Sequence, residues 1–165
     1  MVFSSIEFLF RFLPVFLIVY FAVPFKYRNG ILLIGSLIFY GIGEPSYILL
    51  MILSVLANHF AAMRIANAWK KEDASGVSSQ KLRMIWLIAS MVFNFGLLFF
   101  FKYLNFFIGI INDIAGTTIW KLVPVTLPLG ISFYTFQAAS YVIDVYRRKY
   151  EPAEGIIDFA TYLCM

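Results

Sequence analysis

Residues 84–101 read MIWLIASMVFNFGLLFFF, a stretch with no charged residue. As an α-helix at 1.5 Å per residue it would measure about 27 Å, close to the ~30 Å hydrocarbon thickness of a bilayer. Uncharged runs recur at Phe12–Phe25, Asn29–Gly43, Pro45–Met63 and Leu122–Ile143. Over the 165 residues, 62% are hydrophobic and only 13% charged, and the mean hydropathy is +0.85. A soluble domain this small cannot hide so much apolar surface in one core, because much of its chain must face water. Nineteen Phe and ten Tyr make that harder in water and easy in lipid. The expected fold class is therefore all-α, polytopic and transmembrane, with about five spanning helices.

The third, fourth and fifth runs reach or approach spanning length alone. The first reaches it if Ile6–Arg11 joins it, with the Arg11 side chain extending to the headgroups. It is not composed like a cleaved signal: Glu7 is acidic, and no Lys or Arg precedes the apolar core except Arg11, which sits inside it. The second run is short, which suits little tilt, thinned bilayer or shelter among neighbouring helices. Tyr103–Asn112, YLNFFIGIIN, is too short to cross separately. It either extends the fourth run as a tilted helix or lies in the outer interface as a short helix; the interfacial placement is preferred. Asn112-Asp113 and Gly116-Thr117-Thr118 then form an exterior loop, with Trp120 as an interface anchor.

The cations sort by position. Lys26 and Arg28 lie between runs one and two; Arg64, Lys70, Lys71, Lys81 and Arg83 between runs three and four; Arg147, Arg148 and Lys149 after run five. These clusters fall at alternate ends of a five-span arrangement, so one side of the membrane can hold them all. The positive-inside rule makes that side cytoplasmic. The chain is thus read as a multi-pass protein of the cytoplasmic membrane, with its N-terminus outside and both the Asn67–Gln80 loop and the C-terminal end inside. Asn67–Gln80, NAWKKEDASGVSSQ, mixes charges with Gly and Ser and reads as a solvated connector. Orientation and anionic lipid explain the net charge of +4. No nucleic-acid-binding motif accompanies it, so the expected partner is the lipid bilayer and not nucleic acid. The single cysteine, Cys164, excludes an internal disulfide and any cysteine metal cluster, and no metal site is expected. Residues 1–165 hold no internal repeat and read as one transmembrane part.

Candidate chemistry is sparse. His59 is the only histidine, and histidine is the commonest general acid or base near neutrality. No Ser/His/Asp or Cys/His set assembles around it in chain order, so a helix-packing or interfacial histidine is the plainer reading. The fifth run says more. Pro124 and Pro128 remove backbone donors, so its helix starts near Pro128 or is broken there. Ser132, Thr135 and Ala139 then share one face, while Gln137, Tyr141 and Asp144 share another. Polar side chains in hydrocarbon turn towards protein or a water-filled cavity. Two readings stay open: these groups knit helices together, or Ser132, Thr135, Gln137, Tyr141 and Asp144 line a substrate path. Asp144, just before Tyr146-Arg147-Arg148, also suits a plain ion pair with arginine. Glu44-Pro45 reads as a turn, with Pro at the first position of the next helix. The interrupted fifth span also fits a small transporter or channel subunit. Against that, no inverted repeat is present and the ionisable residues cluster at helix ends.

Several segments, in order, carry a resemblance: Met1-Val2-Phe3-Ser4-Ser5, Phe8-Leu9-Phe10, Phe12-Leu13-Pro14, Tyr27-Arg28-Asn29, Leu37-Ile38-Phe39-Tyr40, the Glu44-Pro45 turn, and FKYLNFF at Phe101–Phe107. The most specific is LPLGISFYTFQAASYVIDVYRRKYEP, Leu127–Pro152, and Phe159–Met165 is similar to the opening of a following segment. Together they resemble the bacterial membrane-bound O-acyltransferases of the alginate O-acetyltransferase type. The resemblance covers essentially the whole chain. D-alanyl transfer proteins of teichoic acid synthesis share the architecture, but Met1–Ser5 and Phe101–Phe107 favour the acetyltransferase type.

The resemblance implies proteins much longer than this chain, with an essential histidine in their later half. No residue here matches that histidine and His59 is outside its motif, so no catalytic residue is assigned. The chain is expected to be the N-terminal part of an O-acyltransferase, inactive alone. For a complete enzyme the resemblance implies acetyl transfer across the membrane, as in alginate biosynthesis and polysaccharide O-acetylation. An activated donor such as acetyl-CoA would supply the cytoplasmic side, and an exported polysaccharide or a partner transferase would receive the acetyl group outside. No cofactor is expected to be bound by this chain itself.

Overall fold

A computed structural model describes residue 6 and residues 8–43, 45–116, 128 and 130–164. Every regular element among the described residues is helical. A π-turn at Phe8–Phe12 leads into α1 (Leu13–Ala22), with Pro14 in its first turn. Pro24 ends the helix, because the residue before a proline is driven out of the helical region, and Val23 is extended at φ −94°, ψ 142°. A 3₁₀ turn at Phe25–Tyr27 opens α2 (Arg28–Gly43), and another at Pro45–Tyr47 opens α3 (Ile48–Ser75). The remaining helices are α4 (Gln80–Ala115), α5 (Ile131–Tyr146) and α6 (Ile156–Cys164).

Two expectations change. There is no separate interfacial helix at Tyr103–Asn112. It is the continuation of α4, which runs 36 residues without a break and takes Asn112 and Asp113 into its last turn. Nothing in that stretch stops a helix; Gly116 does, at φ +64°, a left-handed cap that glycine adopts without a Cβ penalty. The Asn67–Gln80 connector is also mostly helical. α3 continues to Ser75, and only four residues, Gly76–Ser79, separate it from α4. Mixed charge does not break a helix when its side chains find partners, and here Trp69, Glu72 and Asp73 do. Glu44, Thr117, Thr118, Trp120 and Pro124 lie outside the described residues.

The chain divides into two compact units: residues up to Phe60 with those from Glu151 onward, and Ala61–Tyr150. In the first unit α2 packs against α1 and α6. Gly35 permits the α1 contact, since a Cβ there would stand 2.2 Å from Cε2 of Phe16. Phe12 stacks on Phe16 at 5.9 Å and leans on Phe39 at 5.8 Å. At the other side of α2, Asn29 Nδ2 donates to Asp158 Oδ1 at 2.8 Å, and the Thr161 hydroxyl lies 3.0 Å from the Asn29 carbonyl. In the second unit α4 packs against α5. Ala62, Ile65, Ala66, Val142 and Val145 form a core flanked by Trp69, Trp86 and Tyr141.

Two helices, Pro45–Ser75 and Gln80–Ala115, are long and apolar enough to cross a bilayer; Phe10–Ala22 and Arg28–Gly43 are apolar but shorter. Between Met84 and Phe101 of α4 the exposed residues are apolar or glycine. Ile85, Ile88, Val92, Phe95, Phe99 and Phe106 form one outward stripe at helical spacing. Val92 is 67% exposed, whereas Asn94, two residues on, is 2% exposed.

Candidate functional site

The residues of α5 follow from a single geometric fact, the 3.6-residue period. Gly130, at φ +73°, turns the chain into the helix, which then buries Ile131, Tyr134, Thr135, Ala138, Ala139, Val142 and Val145 along one stripe. Thr135 lies within that stripe. Ser132 sits half-buried on one flank, and Gln137, Tyr141 and Asp144 sit half-buried on the other, nearly opposite around the helix. The structure therefore brings Gln137, Tyr141 and Asp144 together on one flank and does not bring them onto the Ser132 side. Tyr141 packs against the core of the second unit. Asp144 makes an ion pair, but with Lys149 at 4.0 Å and not with an arginine.

Below α5 the chain builds a cationic clasp that the sequence reading missed. The Trp69 indole N–H donates to the Tyr146 carbonyl at 3.3 Å. Two guanidinium groups sit over the Trp69 ring, Arg83 at 3.4 Å and Arg148 at 4.8 Å from its centroid. Each also pairs with an acid, Arg83 with Glu72 and Arg148 with Asp73. Arg83 is 5% exposed. A cation so far from water persists only when paired and stacked, because its desolvation would otherwise dominate. The Ser79 backbone N–H, donating to Glu72 at 2.8 Å, and the Arg83 guanidinium together hold the Glu72 carboxyl below the usual carboxylate range. Mixed charge in Asn67–Gln80 signals solvent when read as composition. Read at helical spacing it puts Trp69, Glu72 and Asp73 one turn apart, the signal that could have found the clasp.

Two further polar pairs were legible but not singled out. Ser54-Val-Leu-Ala-Asn58 and Ser90-Met-Val-Phe-Asn94 repeat one spacing, Ser-x-x-x-Asn, inside apolar runs. In both, the Asn amide donates back to the Ser carbonyl, at 2.8 Å and 2.9 Å, and all four residues are buried. His59 stacks on Phe159 with ring centroids 5.9 Å apart. Its Nδ1 is shielded and meets no partner among the described residues. No group of three His, Cys, Asp or Glu suited to a metal ion occurs among the described residues. These arrangements supply packing, orientation and polar lining. They do not bring a nucleophile and a base together.

Comparison with known proteins adds what geometry leaves open. The chain matches no protein-family model, and no solved structure matches it. It is 39% identical over 168 residues to probable alginate O-acetylase AlgI of Pseudomonas aeruginosa, covering all of this chain and 31% of that protein. With the protein of the same name from Azotobacter vinelandii it shares 36% identity, covering all of this chain and 32% of the relative. It is 32% identical to the peptidoglycan O-acetyltransferase of Helicobacter pylori, over 90% of this chain and 27% of the relative. The chain thus spans just under a third of the length of the curated relatives it matches.

Proposed function

We propose that this chain, which belongs to the membrane-bound O-acyltransferase family of the alginate O-acetylases, is a membrane-embedded part of an enzyme that transfers acetyl groups to hydroxyls of a cell-envelope polysaccharide. The observation that carries the reading is the match along the entire chain to O-acetylases acting on two different envelope polymers, alginate and peptidoglycan by their names. The inverted burial of α4, apolar outside and polar inside, supports its placement in a bilayer, since water would favour the opposite arrangement. We place the protein in the cytoplasmic membrane with the cationic clasp on the cytoplasmic side, where the positive-inside rule puts Arg64, Lys70, Lys71, Arg83 and Arg147–Lys149.

In this reading the acyl C–S bond of a thioester donor such as acetyl-CoA breaks and releases the free thiol on the cytoplasmic side, while the acetyl carbonyl carbon forms an ester with a hydroxyl outside, of a sugar or of a partner transferase, which gives up its proton. The chain's own part is to frame the path. α5 offers Gln137, Tyr141 and Asp144 along one flank and Ser132 on the other, with Thr135 fixing the buried stripe between them. The clasp fixes the end of α5, so that these side chains keep their depth in the membrane. The test is the O-acetyl content of exported polysaccharide, read by NMR, in cells whose gene carries Gln137→Leu or Tyr141→Phe. A fall of about tenfold or more, with unchanged protein level in the membrane, is expected for at least one of them, the loss of about 1.4 kcal/mol in positioning. Unchanged acetylation in both, or in cells lacking the gene altogether, overturns the reading. Reporter fusions within Gly76–Ser79 test the orientation and are expected to report the cytoplasm.

A further inference from the structure

We propose that the groove between α1 and α2 is a site for one acyl chain of an anionic glycerophospholipid whose phosphate is held by Arg11. The proposal rests on the bilayer placement above. The groove is open along its length and has a volume of about 560 Å³. Val15, Phe16 and Val19 form one wall, and Ile31, Ile34 and Ile38 the other. The Phe16 ring closes its floor, lying where a side chain at position 35 would begin. Among the described residues one charged side chain reaches it, Arg11, and no carboxylate lines it.

Direction and length both fit a lipid tail. The ring contact of Phe12 with Phe39 sets the N-terminal end of α1 beside the C-terminal end of α2, so Arg11 stands at the Ile38 end of the groove. From Arg11 to Val19 is eight residues, about 12 Å of helix, close to the ~15 Å depth of one leaflet. A tail lying there with its headgroup at Arg11 therefore ends near the bilayer midplane. Arg11 favours an anionic headgroup, since guanidinium and phosphate meet through two parallel hydrogen bonds. A second protein surface would have to bring its own buried acid to meet that charge.

The test uses the full chain in its membranes and a phosphatidylglycerol carrying a photoreactive diazirine midway along one acyl chain. Resistance to carbonate extraction is measured first; release from the membrane would overturn the bilayer placement and this proposal with it. For the retained protein, labelling is expected on the segments Val15–Val19 and Ile31–Ile38, above that on the exposed α4 stripe around Val92. Arg11→Gln should lower it about fivefold, the ~1 kcal/mol that one cation contributes to binding an anionic lipid. Ile34→Trp, which fills the groove from an exposed position, should abolish it, whereas Ile18→Trp, exposed and outside the groove, should not. Labelling no stronger than at Val92, or unmoved by both Arg11→Gln and Ile34→Trp, overturns the site while leaving the bilayer placement standing. A photoreactive amino acid at Val15 that captures a protein segment instead of lipid overturns it as well.

Discussion

Arg148 occupies the place where helices commonly end on glycine, and replacing it tests how the end of α5 is held. Its φ is +60°, the left-handed region. Around it the Lys149 N–H donates to the Asp144 carbonyl at 3.0 Å and the Arg148 N–H to the Val145 carbonyl at 3.1 Å, the paired bonds of a Schellman cap. A non-glycine residue held left-handed costs about 1–2 kcal/mol. Two contacts offset that cost. The Asp73 ion pair has both side chains about half exposed, so screening limits it to about 0.2–1 kcal/mol. The stack on Trp69 at 4.8 Å adds about 0.5–1 kcal/mol. Arg148→Ala keeps the strain and loses both contacts, so the cap should weaken by about 0.7–2 kcal/mol. Arg148→Gly loses the same contacts but sheds the strain, less about 0.5–1 kcal/mol for glycine's extra freedom in the unfolded chain. Glycine should therefore be the better replacement, by up to about 1.5 kcal/mol, or about tenfold in an opening equilibrium. Hydrogen exchange at the Arg148 and Lys149 amides reads this directly. Alanine protecting those amides as well as glycine, or as well as the native arginine, would refute the reasoning.

Gly35→Ala should lower the unfolding temperature through about 1–3 kcal/mol of overpacking against Phe16. Adding Phe16→Leu should return part of it, and strictly additive losses would show that the two positions do not touch. Asn58→Ala, which removes a buried amide bonded to the Ser54 carbonyl, should cost about 0.6–1.7 kcal/mol by calorimetry in detergent; no change or a gain would count against the buried seam. Acid should loosen the clasp: Glu72 titrates lower folded than unfolded, so its contribution is present above the unfolded value and is lost as pH falls through the folded one. Protection of the Ser79 amide, taken relative to its intrinsic exchange rate at each pH, should fall on acidification, and in Glu72→Gln that pH dependence should flatten; an identical profile in the variant would remove Glu72 from the clasp.

The helices were legible because apolar runs, prolines and Gly116 are local signals. Pro24 and Gly116 act on their own neighbours, so a reader of the sequence sees what the chain itself obeys. The two errors share a cause. Tyr103–Asn112 and Asn67–Gln80 were divided off where composition changes, but a helix ends only where backbone donors, caps or steric clashes end it. Neither stretch has such a stop before Gly116 or Gly76. On α5 the period alone separates Ser132 and Thr135 from Gln137, Tyr141 and Asp144, yet which side faces inward depends on what packs there. Ala138, Ala139 and Val142 settle that, and they draw Thr135 inward while leaving Gln137 and Asp144 at the edge. Of the clasp, the α3 half (Trp69, Glu72 and Asp73) is legible at helical spacing, but its meeting with Arg83 and Arg148 exists only in three dimensions.

The run 84–101 carries more than spanning length. Its only strongly polar side chain is Asn94, with Ser90 one turn before it, and both are buried while Ile88, Val92, Phe95 and Phe99 are exposed. In water that rotation of the helix would be unfavourable, since it puts large apolar side chains into solvent and gives polar ones no access to it. In hydrocarbon the ordering reverses: apolar side chains are indifferent to lipid, and an amide facing lipid keeps only the bond inside its own helix, with its remaining donor and acceptor capacity unmet. A single buried Asn per run is then enough to choose which way the helix turns, because no hydrophobic drive competes with it. The same spacing in Ser54–Asn58 gives α3 the same instruction. The outward stripe of α4 is thus a consequence of where Asn94 sits, and Asn94→Leu is expected to leave insertion intact while loosening the rotation. Cysteine accessibility at Val92 and Phe95 would read that loss of definition, and unchanged accessibility would show that packing alone sets the turn.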